Sequence, residues 1–399
     1  MDKMQTNVTP KGSALTTVLK LVCFLVGLTL TGVMLWNLFS NLNNSAEEVS
    51  SDPVASQPAE LALMDEYDDF IEAVMTESYE AATSIKKVFW INDDVKIPPV
   101  PDAAKYGQTD DPSSLQWLLD EAAEILDGQE LTFSTDVEIY PGSQVHYYLD
   151  DSILVITWKA VYYDFVYTFS EVKVSHPSQV RRFIAEETYG SNYLYETSTM
   201  ATMVNAVTAI SGDYYRARNY GIVVYDGVAH QASAGQHVDT CYVDVNGDFH
   251  FTYRGEIMDL EAAQKFVDEN DIEFSLAFGP VLVDNGVRCE HPSYALGEVN
   301  DEYPRAGICQ KDKLHYILVT ANWEGPYFHS PTIHVFAEVM ESLDVQKAYT
   351  LDGGQTGTLV MDGKVINYLQ SERQRRISDI IYFATAIPNR DEPQAETSE

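Results

Sequence analysis

The chain has 399 residues, with 25 Lys and Arg against 61 Asp and Glu and a formal net charge of −36. This acidic excess argues against binding to nucleic acid or to any broad polyanionic surface, so a phosphate-bearing ligand would have to be held in a local pocket of arginines. The length is enough for one large domain with smaller additional segments.

The first predicted element is a transmembrane helix at residues 21–39, a run of nineteen residues without a charge. At about 1.5 Å per residue, a helix of this length roughly crosses the hydrocarbon core of a bilayer. No Ala-x-Ala cleavage pattern follows it, which favours an uncleaved anchor. Lysines precede the run and acidic residues follow it, so the positive-inside bias predicts that residues 1–20 form a cytoplasmic tail. The protein is thus expected at the cell membrane as a single-pass protein with its C-terminal domain extracellular.

Residues 40–130 are predicted to lead from the membrane to the main domain. Residues 40–59 are rich in Ser, Asn and Glu and poor in large apolar groups, which is typical of a flexible linker. Residues 60–130 are predicted to form a helical stalk region, because apolar residues recur at helical intervals between 60 and 88 and a second helix is predicted from Leu115 to Leu126.

The composition changes after residue 131 toward the residues that favour strands. Runs rich in Val, Ile, Tyr, Trp and Phe predict strands at 136–140, 153–160 and 162–174, and turns of the Asp-Gly or Asn-Gly type recur farther on. Helices are predicted at 177–187, 197–207, 259–270 and 332–343. The expected fold class is α/β (α+β), with a mixed, largely antiparallel sheet and packed helices, over residues 131–389. Residues 390–399 are predicted to be a disordered acidic tail.

Three cysteines follow the predicted anchor: Cys241, Cys289 and Cys309. The simplest expectation is one disulfide and one free thiol, and the turn-rich segment between them favours a Cys289–Cys309 pair. No cysteine and histidine spacing suggests zinc, so no metal or cofactor is predicted. The acidic loops leave calcium open, but Asp244 to Asp248 departs from the spacing of a calcium-binding loop and predicts a solvated turn.

Four short segments place acids or arginines beside glycine turns or strand ends. They are Ile210–Tyr215, Tyr303–Ile308, Tyr349–Val360 and Gln374–Asp379. Each alone has an ordinary explanation, such as a turn cap or a solvated charge, and short glycine motifs often match by chance. Together they supply two carboxylates and two arginines, which are the groups that grip a phosphate bidentately and stabilise a sugar cation.

The chain from about Tyr163 to Pro388 resembles the phosphodiester glycosidase family. The matching motifs, in the same order, are His176 to Gln179 with the arginines that follow, Ser211 to Tyr215, Phe278 to Leu282, Pro304 to Ala306, Leu351 to Thr358 and Arg375 to Asp379. The resemblance implies an enzyme, a hydrolase that cleaves the bond between the anomeric carbon of a sugar and a phosphodiester. The expected substrate is a phosphate-linked glycan of the cell envelope or capsule, and no expectation about oligomeric state follows.

The resemblance also implies roles for individual residues. Asp352 and Asp213 are expected to be the catalytic acidic pair, one acting on the developing sugar cation and the other orienting water, with the order left open. The expected substrate-binding residues are Arg305, Arg375, Gly353, Gly354, Thr356, Thr358, Ser211 and Gly212.

The chain departs from the family pattern at Ala321-Asn322, where an Asp-Gly pair is common, and at three further positions. Ser211 replaces the usual asparagine, Gly357 replaces the second serine of the glycine motif, and Val335 takes the place of a glutamate. These departures keep an alternative open, in which the protein retains the fold and binds envelope glycans without catalysis.

Overall fold

The computed structural model describes residues 97–126, 130–213, 215–217, 220–232, 238–290, 301–321, 330–369 and 372–387. The predicted cytoplasmic tail, transmembrane helix, linker, residues 60–96 of the stalk and the acidic tail lie outside these ranges. Within the ranges, no helix combines the length and apolar character needed to cross a membrane.

Nineteen strands and four α-helices occupy the described residues. The strands are β1 (Tyr106–Thr109), β2 (Val145–Leu149), β3 (Ile153–Tyr162), β4 (Phe165–Val174), β5 (Val180–Ile184), β6 (Thr208–Ser211), β7 (Ile222–Tyr225), β8 (Val228–Ala232), β9 (Thr240–Asp244), β10 (Phe249–Thr252), β11 (Ile272–Leu276), β12 (Val281–Asp284), β13 (Val287–Arg288), β14 (Arg305–Asp312), β15 (His315–Ala321), β16 (Lys347–Leu351), β17 (Leu359–Met361), β18 (Lys364–Val365) and β19 (Asp379–Phe383). The helices are α1 (Gln116–Ile125), α2 (Thr197–Met203), α3 (Leu260–Glu269) and α4 (Ile333–Ser342).

The strands form four sheets. The largest has nine strands in the order β1-β2-β3-β4-β15-β14-β16-β12-β13, and a five-stranded sheet has the order β18-β17-β6-β19-β5. The others are β10-β9-β11 and the hairpin β7-β8. The strand pairs of the described chain are antiparallel. The predicted sheet-rich α+β fold with largely antiparallel pairing is therefore confirmed.

The nine-stranded sheet is buried on both faces. Along β3, Leu154 and Ile156 point into a core that also contains α1 and α4, whereas Ile153 and Val155 point into a second core shared with the smaller sheets. This follows from the two-residue period of a strand, which sends neighbouring side chains to opposite faces. Because both faces of the sheet are covered, the sequence of β3 is a nearly continuous run of apolar residues.

The folded part of the chain begins ahead of residue 131. Strand β1 pairs with β2 at the edge of the nine-stranded sheet, and α1 buries Leu118 and Ala122 in the same core as Trp158. The second helix that the sequence predicts within the stalk region is thus present, but it packs as part of the domain.

Two predictions of local structure are wrong. Residues 177–187 are not a helix, because Val180 to Ile184 form β5, in which buried and half-buried side chains alternate as a strand requires. Residues 136–140 are a loop rather than a strand. The helix predicted at 197–207 ends at Met203, whereas those predicted at 259–270 and 332–343 agree with α3 and α4 within a residue or so at each end.

The hairpin predictions are confirmed. Asp226-Gly227, Asn285-Gly286 and Asp362-Gly363 each join two antiparallel strands, and both residues of each turn have positive φ. This is the backbone conformation of a two-residue hairpin turn that matches the twist of the strands. The segment Asp244 to Asp248 is also a turn, in which the Asp244 carboxylate accepts hydrogen bonds from two backbone N–H groups.

The predicted Cys289–Cys309 disulfide is wrong, because all three described cysteines are free thiols. Cys309 is buried in the core that contains α4, whereas Cys289 packs against the core on the other face of the sheet. The sheet lies between the two sulfur atoms, and sequence separation gives no indication of this.

The packing of α1 predicts the effect of shortening one of its side chains. Leu118→Ala is expected to lower the free energy of unfolding by about 2 to 5 kcal/mol, because it leaves a cavity in a core where Leu118 has 0% exposure. Glu121→Ala, on the exposed face of the same helix, is the control and is expected to change stability by less than about 0.5 kcal/mol. Denaturant unfolding measures both. Equal, small effects would contradict the placement of α1 in the domain.

Candidate active site

Three chain segments meet at one corner between the nine-stranded and five-stranded sheets. They are the loop after β6, the loop after β16 and the start of β14. The N–H of Asp352 donates to the carbonyl of Gly212 over 3.3 Å, and the N–H of Gly354 donates to the carbonyl of Pro304 over 2.8 Å. These backbone hydrogen bonds hold together glycine-containing loops that are far apart in the sequence.

Arg305 and Asp352 are neighbours across two adjacent strands. The register of β14 and β16 pairs Ala306 with Leu351, so the next position places Arg305 opposite Asp352. Directly opposed residues of antiparallel strands have Cα atoms about 4.5 to 5.5 Å apart. The structure therefore brings one predicted catalytic carboxylate and one predicted phosphate ligand together. Asp352 is half-buried.

The side chain of Arg305 is held by main-chain oxygens. Its Nε donates to the carbonyl of Pro331 over 3.1 Å and one Nη donates to the carbonyl of Asp301 over 2.7 Å. Its guanidinium also lies 5.9 Å from the centre of the Tyr303 ring. Carbonyl oxygens accept hydrogen bonds from the guanidinium and fix its orientation.

Two glycines are required by close contacts rather than by flexibility. A Cβ on Gly353 would lie 2.2 Å from the Pro304 carbonyl oxygen, and a Cβ on Gly212 would lie 2.1 Å from a carboxylate oxygen of Asp379. Gly354 differs, because its φ is +59° and the space around it is open. The loops can approach each other this closely only because the side chains are absent.

The turn after Asp352 presents a hydroxyl group. Thr356 is buried, and its Oγ1 has no hydrogen-bond partner among the described residues. The N–H groups of Thr356 and Gly357 both donate to the carbonyl of Gly353 and close the turn. Buried hydroxyl groups are normally hydrogen-bonded, so this one departs from the general pattern.

Ser211 and Thr358 hold this turn in place. The Oγ of Ser211 accepts a hydrogen bond from the N–H of Thr358, and the hydroxyl of Thr358 donates to the carbonyl of Thr356. Both residues are fully buried. The contacts of these two predicted substrate-binding residues are therefore internal to the loop.

A buried cluster of three charged groups lies beside the corner. One Nη of Arg182 is 3.2 Å from Asp213 and 2.9 Å from Asp379, and all three side chains have 0% exposure. The Arg182 Nε donates to Asp379 over 3.0 Å, and its other Nη donates to the carbonyl of Ser275. This one guanidinium links β5, the loop after β6 and the start of β19.

Asp213 is enclosed by these contacts. One of its carboxylate oxygens accepts from the N–H of Tyr215 and the other from the N–H of Ala277, each over 2.8 Å. The second oxygen also pairs with Arg182. The structure thus places the two predicted catalytic acids differently, with Asp352 at the half-buried corner and Asp213 within the protein interior.

Burial and charge shift the ionisation of this cluster. Burial, with a contribution from the neighbouring Asp213 carboxylate, raises the pKa of Asp379 to about 7, and Arg182 only partly opposes the shift. Burial opposes the charged form of Arg182, but Asp213 and Asp379 outweigh it and raise the pKa of the guanidinium. When two buried carboxylates share a single cation, the pKa of one of them is raised and it tends to keep its proton.

The remaining predicted phosphate ligand is Arg375. It is exposed, in the segment ahead of β19. The adjacent Gln374 is bonded to Ser198 at the start of α2, and Ile377 forms a bridge with Tyr195. The structure thus associates the neighbours of this predicted phosphate ligand with α2.

Arg182 and Asp379 are the residues that the sequence did not single out. Both lie within matching motifs, since Arg182 follows His176 to Gln179 and Asp379 ends the Arg375 motif. The prediction of a helix at 177–187 concealed the inward-facing position of Arg182. In a strand, Arg181 and Arg182 point to opposite faces, and only Arg182 is buried.

Within the described ranges, no group of three or more His, Cys, Asp or Glu residues is arranged to hold a metal ion. The chemistry of the corner is instead that of a carboxylate, a guanidinium, a hydroxyl and a glycine turn. This set of groups is suited to an anionic ligand whose reaction develops positive charge nearby.

These features define a candidate site for an anionic ligand at one corner of an antiparallel sheet. More particularly, residues 204–384 match the model of the phosphodiester glycosidase family, which confirms the resemblance indicated by the sequence motifs. The matched residues make up less than half of the 399-residue chain. No curated protein sequence matches the chain.

Three solved structures match part of the chain. A protein from Synechocystis is 13% identical with a TM-score of 0.48, and the match covers 62% of this chain and 64% of that one, less than two thirds of its length. The catalytic domain of zebrafish N-acetylglucosamine-1-phosphodiester alpha-N-acetylglucosaminidase, auto-inhibited by its pro-peptide, is 15% identical with a TM-score of 0.47, over 66% of this chain and 92% of that one. A protein from Burkholderia pseudomallei K96243 is 12% identical with a TM-score of 0.39, over 56% of this chain and 74% of that one.

The two loop glycines are expected to differ in their tolerance of a methyl group. Gly353→Ala has to move the start of β14, because its Cβ would overlap the Pro304 carbonyl, and we expect a loss of more than about 2 kcal/mol in the free energy of unfolding. Gly354→Ala is the matched control, with open space and only an unfavourable φ, and is expected to lose about 1 kcal/mol. Thermal and denaturant unfolding give both values. A larger loss at Gly354 would contradict the close approach of Gly353 to Pro304.

The pKa of Asp379 predicts a pH dependence of stability. Its folded-state pKa of about 7 lies above the ordinary value of 3.8. The stability that this group contributes is therefore fully present below about pH 4 and is lost as pH rises through 7, by at most about 1.4 kcal/mol per pH unit. Asp379→Asn removes the titration, so the stability of the wild type relative to this variant should fall between about pH 5 and about pH 8. A difference that stays constant over this range would show that Asp379 is ionised throughout.

Proposed function

We propose that this protein is a phosphodiester glycosidase that hydrolyses sugar 1-phosphodiester linkages. The observation that carries the proposal is the convergence of Asp352, Arg305 and the Gly353-Gly354 turn at one corner, within a chain whose residues 204–384 match that family. We assign the phosphodiester to Arg305, the hydroxyl of Thr356 and backbone N–H groups of the turn. The reacting sugar carbon lies on the side of Asp352.

In the reaction, the bond between the anomeric carbon and a phosphate oxygen breaks, and its electron pair stays on the phosphate. Water supplies the hydroxyl group to the anomeric carbon, and its proton is released. The products are a free sugar and a phosphomonoester. Arg305 stabilises the negative charge that grows on the departing phosphate, and Asp352 stabilises the positive charge that grows on the sugar.

One carboxylate is sufficient in this arrangement because of the leaving group. An ordinary glycosidase needs a second carboxyl group to protonate an alkoxide as it departs. A phosphate departs as a stable anion, so a positive clamp replaces the proton donor. The enclosed Asp213 is then a positioning residue that holds the loop after β6 through Arg182 and two backbone N–H groups.

We also propose that residues 21–39 anchor this domain to the cell membrane and leave it outside the cell, where it acts on phosphate-linked glycans of the envelope or capsule. The support is the uncharged run of nineteen residues and the lysines that precede it. The family match concerns residues 204–384 and bears on the chemistry rather than on the location.

A second candidate function is glycan binding without catalysis. It is favoured by the enclosure of Asp213, since both oxygens of that carboxylate are occupied by internal contacts. On this alternative the corner still binds the sugar phosphate through Arg305, but no bond breaks.

The test of the proposed function is the release of free sugar from an N-acetylglucosamine 1-phosphodiester. Asp352→Asn should lower kcat/KM by roughly 10²- to 10³-fold or more, because a charge contact made in the transition state is lost. Arg305→Lys should also lower it by roughly 10²-fold, since lysine cannot form the bidentate contact.

Two exposed residues provide matched controls. Asp268→Asn on α3 and Arg254→Lys after β10 make the same chemical changes away from the corner, and both should leave the rate unchanged. Binding of several sugar 1-phosphodiesters by the wild type without any turnover would reject the enzyme and favour the second candidate. Turnover that survives in Asp352→Asn would reject the assignment of that residue.

A further inference from the structure

The buried cluster beside the corner contains more acidic groups than basic ones. It consists of the carboxyl groups of Asp213 and Asp379 and the guanidinium of Arg182, and all three side chains have 0% exposure. If both carboxyl groups were ionised, the cluster would carry one uncompensated negative charge away from water. An unpaired buried charge is costly, and two carboxyl groups that share one cation commonly retain a proton between them. The contacts of the individual oxygen atoms locate that proton.

Both oxygen atoms of Asp213 face hydrogen-bond donors. One accepts from the N–H of Tyr215, and the other accepts from the N–H of Ala277 and lies 3.2 Å from a nitrogen of Arg182. A backbone N–H group cannot accept a hydrogen bond, and neither can a guanidinium. A proton on Asp213 would therefore find no acceptor among these contacts.

Asp379 differs, because one of its oxygen atoms faces a hydroxyl group. Its Oδ2 accepts from the Nε of Arg182 over 3.0 Å and from the N–H of Asp213 over 3.3 Å. Its Oδ1 lies 3.2 Å from the hydroxyl oxygen of Ser378, which can either donate or accept. The proton therefore fits on Oδ1, with Ser378 as its acceptor. Burial also raises the pKa of Asp379 to about 7, in agreement with this placement.

The charged and titratable side chains that face Asp379 come from β5 and from the loop after β6. They are Arg182, Asp213 and Tyr215, whose ring lies 5.4 Å from the guanidinium. Tyr189 stacks on Tyr215 with 5.5 Å between the ring centres, and burial raises the pKa of both hydroxyl groups. The pKa of Arg182 is raised as well, by the two carboxylates that outweigh its burial. Arg182 and the tyrosines thus keep their protons at neutral pH, whereas Asp379 gains or loses one there.

Gly212 connects this cluster to the corner. A Cβ on Gly212 would lie 2.1 Å from the Oδ2 of Asp379, and its N–H donates to the carbonyl of Asp379 over 3.0 Å. Its own carbonyl accepts from the N–H of Asp352 over 3.3 Å. With ordinary bond lengths, these contacts place the Asp379 carboxyl group within about 10 Å of the backbone nitrogen of Asp352. One added negative charge at roughly this distance weakens the binding of an anion by about three- to tenfold.

We propose that Asp379 is a positioning residue for the corner and that the loss of a proton from its Oδ1 lowers the affinity of the corner for a phosphodiester. With the proton present, the cluster is neutral and Oδ2 holds the loop after β6. Without the proton, the contacts of Oδ2 remain, but the cluster gains a negative charge next to the loop that binds the N–H of Asp352. The inference rests on the proposed binding of a phosphodiester at the corner and does not require its hydrolysis.

The test is a calorimetric titration of the full-length chain between about pH 5.5 and about pH 8.5. The probe is the methyl phosphodiester of N-acetylglucosamine with a methylene group in place of the anomeric oxygen, used beside its glucose and galactose analogues. It resists hydrolysis at that bond and stays a single anion over this range. Kd is expected to rise about three- to tenfold as pH increases through 7. Binding near pH 7 should also take up about 0.3 to 0.5 of a proton, measured in buffers of different ionisation enthalpy.

Asp379→Asn fixes the cluster in its neutral form. The amide oxygen can accept from Arg182 and from the N–H of Asp213, and the amide nitrogen can donate to Ser378. This variant is expected to bind the probe with the low-pH affinity of the wild type at every pH and to take up no proton.

Three further variants serve as controls. Histidine is the side chain that ordinarily titrates near neutral pH. His230 stacks on Tyr189, and His334 lies on α4, which begins two residues after Pro331, whose carbonyl holds Arg305. His230→Gln and His334→Gln should each keep the pH dependence of the wild type. Arg305→Lys should weaken binding by about tenfold at every pH, which shows that the probe lies at the corner.

A wild-type affinity that stays constant across the pH range would overturn the inference. So would an Asp379→Asn variant that has the circular dichroism spectrum of the wild type and keeps its pH dependence, or the absence of binding to all three probes. If Asp379→Asn does not fold, carbon-13 titration of the wild-type carboxyl groups decides, since a midpoint near pH 7 supports the inference and its absence overturns it. Binding that depends on pH without any sugar release would reject the hydrolase alone. Sugar release with binding that is independent of pH would reject this inference alone.

Discussion

The guanidinium of Arg182 holds two carboxylates in the interior of the protein, and the geometry of the corner that contains Asp352 and Arg305 depends on this contact. Asp213 and Asp379 belong to different strand ends, and each is bonded to Arg182 within 3.2 Å. A buried carboxylate without a cation would be driven to bind a proton or to reach water. The cluster therefore fixes where the loop after β6 passes. The carbonyl oxygen of Gly212 in that loop then accepts a hydrogen bond from the N–H of Asp352.

The corner thus contains two arginines that lie in different surroundings. Arg182 is saturated by carboxylates and by the carbonyl of Ser275, so its charge stabilises the interior. The contacts of Arg305 include two carbonyl oxygens. The two arginines therefore differ in their surroundings, since Arg182 contacts two carboxylates and Arg305 contacts main-chain oxygens.

The sequence was sufficient for the features that depend on neighbouring residues. The Asp-Gly and Asn-Gly hairpins, the helix at 332–343 and the strand that leads into Asp352 all follow from local turn chemistry and from the period of the apolar residues. The grouping of Asp352 with Arg305 came from the order of the motifs, and the pairing of β14 with β16 supplies its geometry.

The features that the sequence did not reveal depend on contacts between distant segments. Nothing local distinguishes Arg182 from Arg181 until the segment is known to be a strand. Nor does the sequence show that the nine-stranded sheet separates Cys289 from Cys309, or that α1 packs beside Trp158. In each case tertiary packing decided among local alternatives that propensity leaves nearly equal.

The contact between Gly212 and Asp379 has a consequence for how this corner can change over generations of variants. The carboxylate of Asp379 occupies the volume that any side chain at position 212 would need, at 2.1 Å from its Cβ. The two positions therefore behave as a single steric unit. A Cβ at position 212 would also lie 2.9 Å from the main-chain oxygen of Asp379, so a smaller side chain at 379 does not by itself make room for it. A larger residue at 212 therefore has to be accompanied by a shift of the backbone at the start of β19.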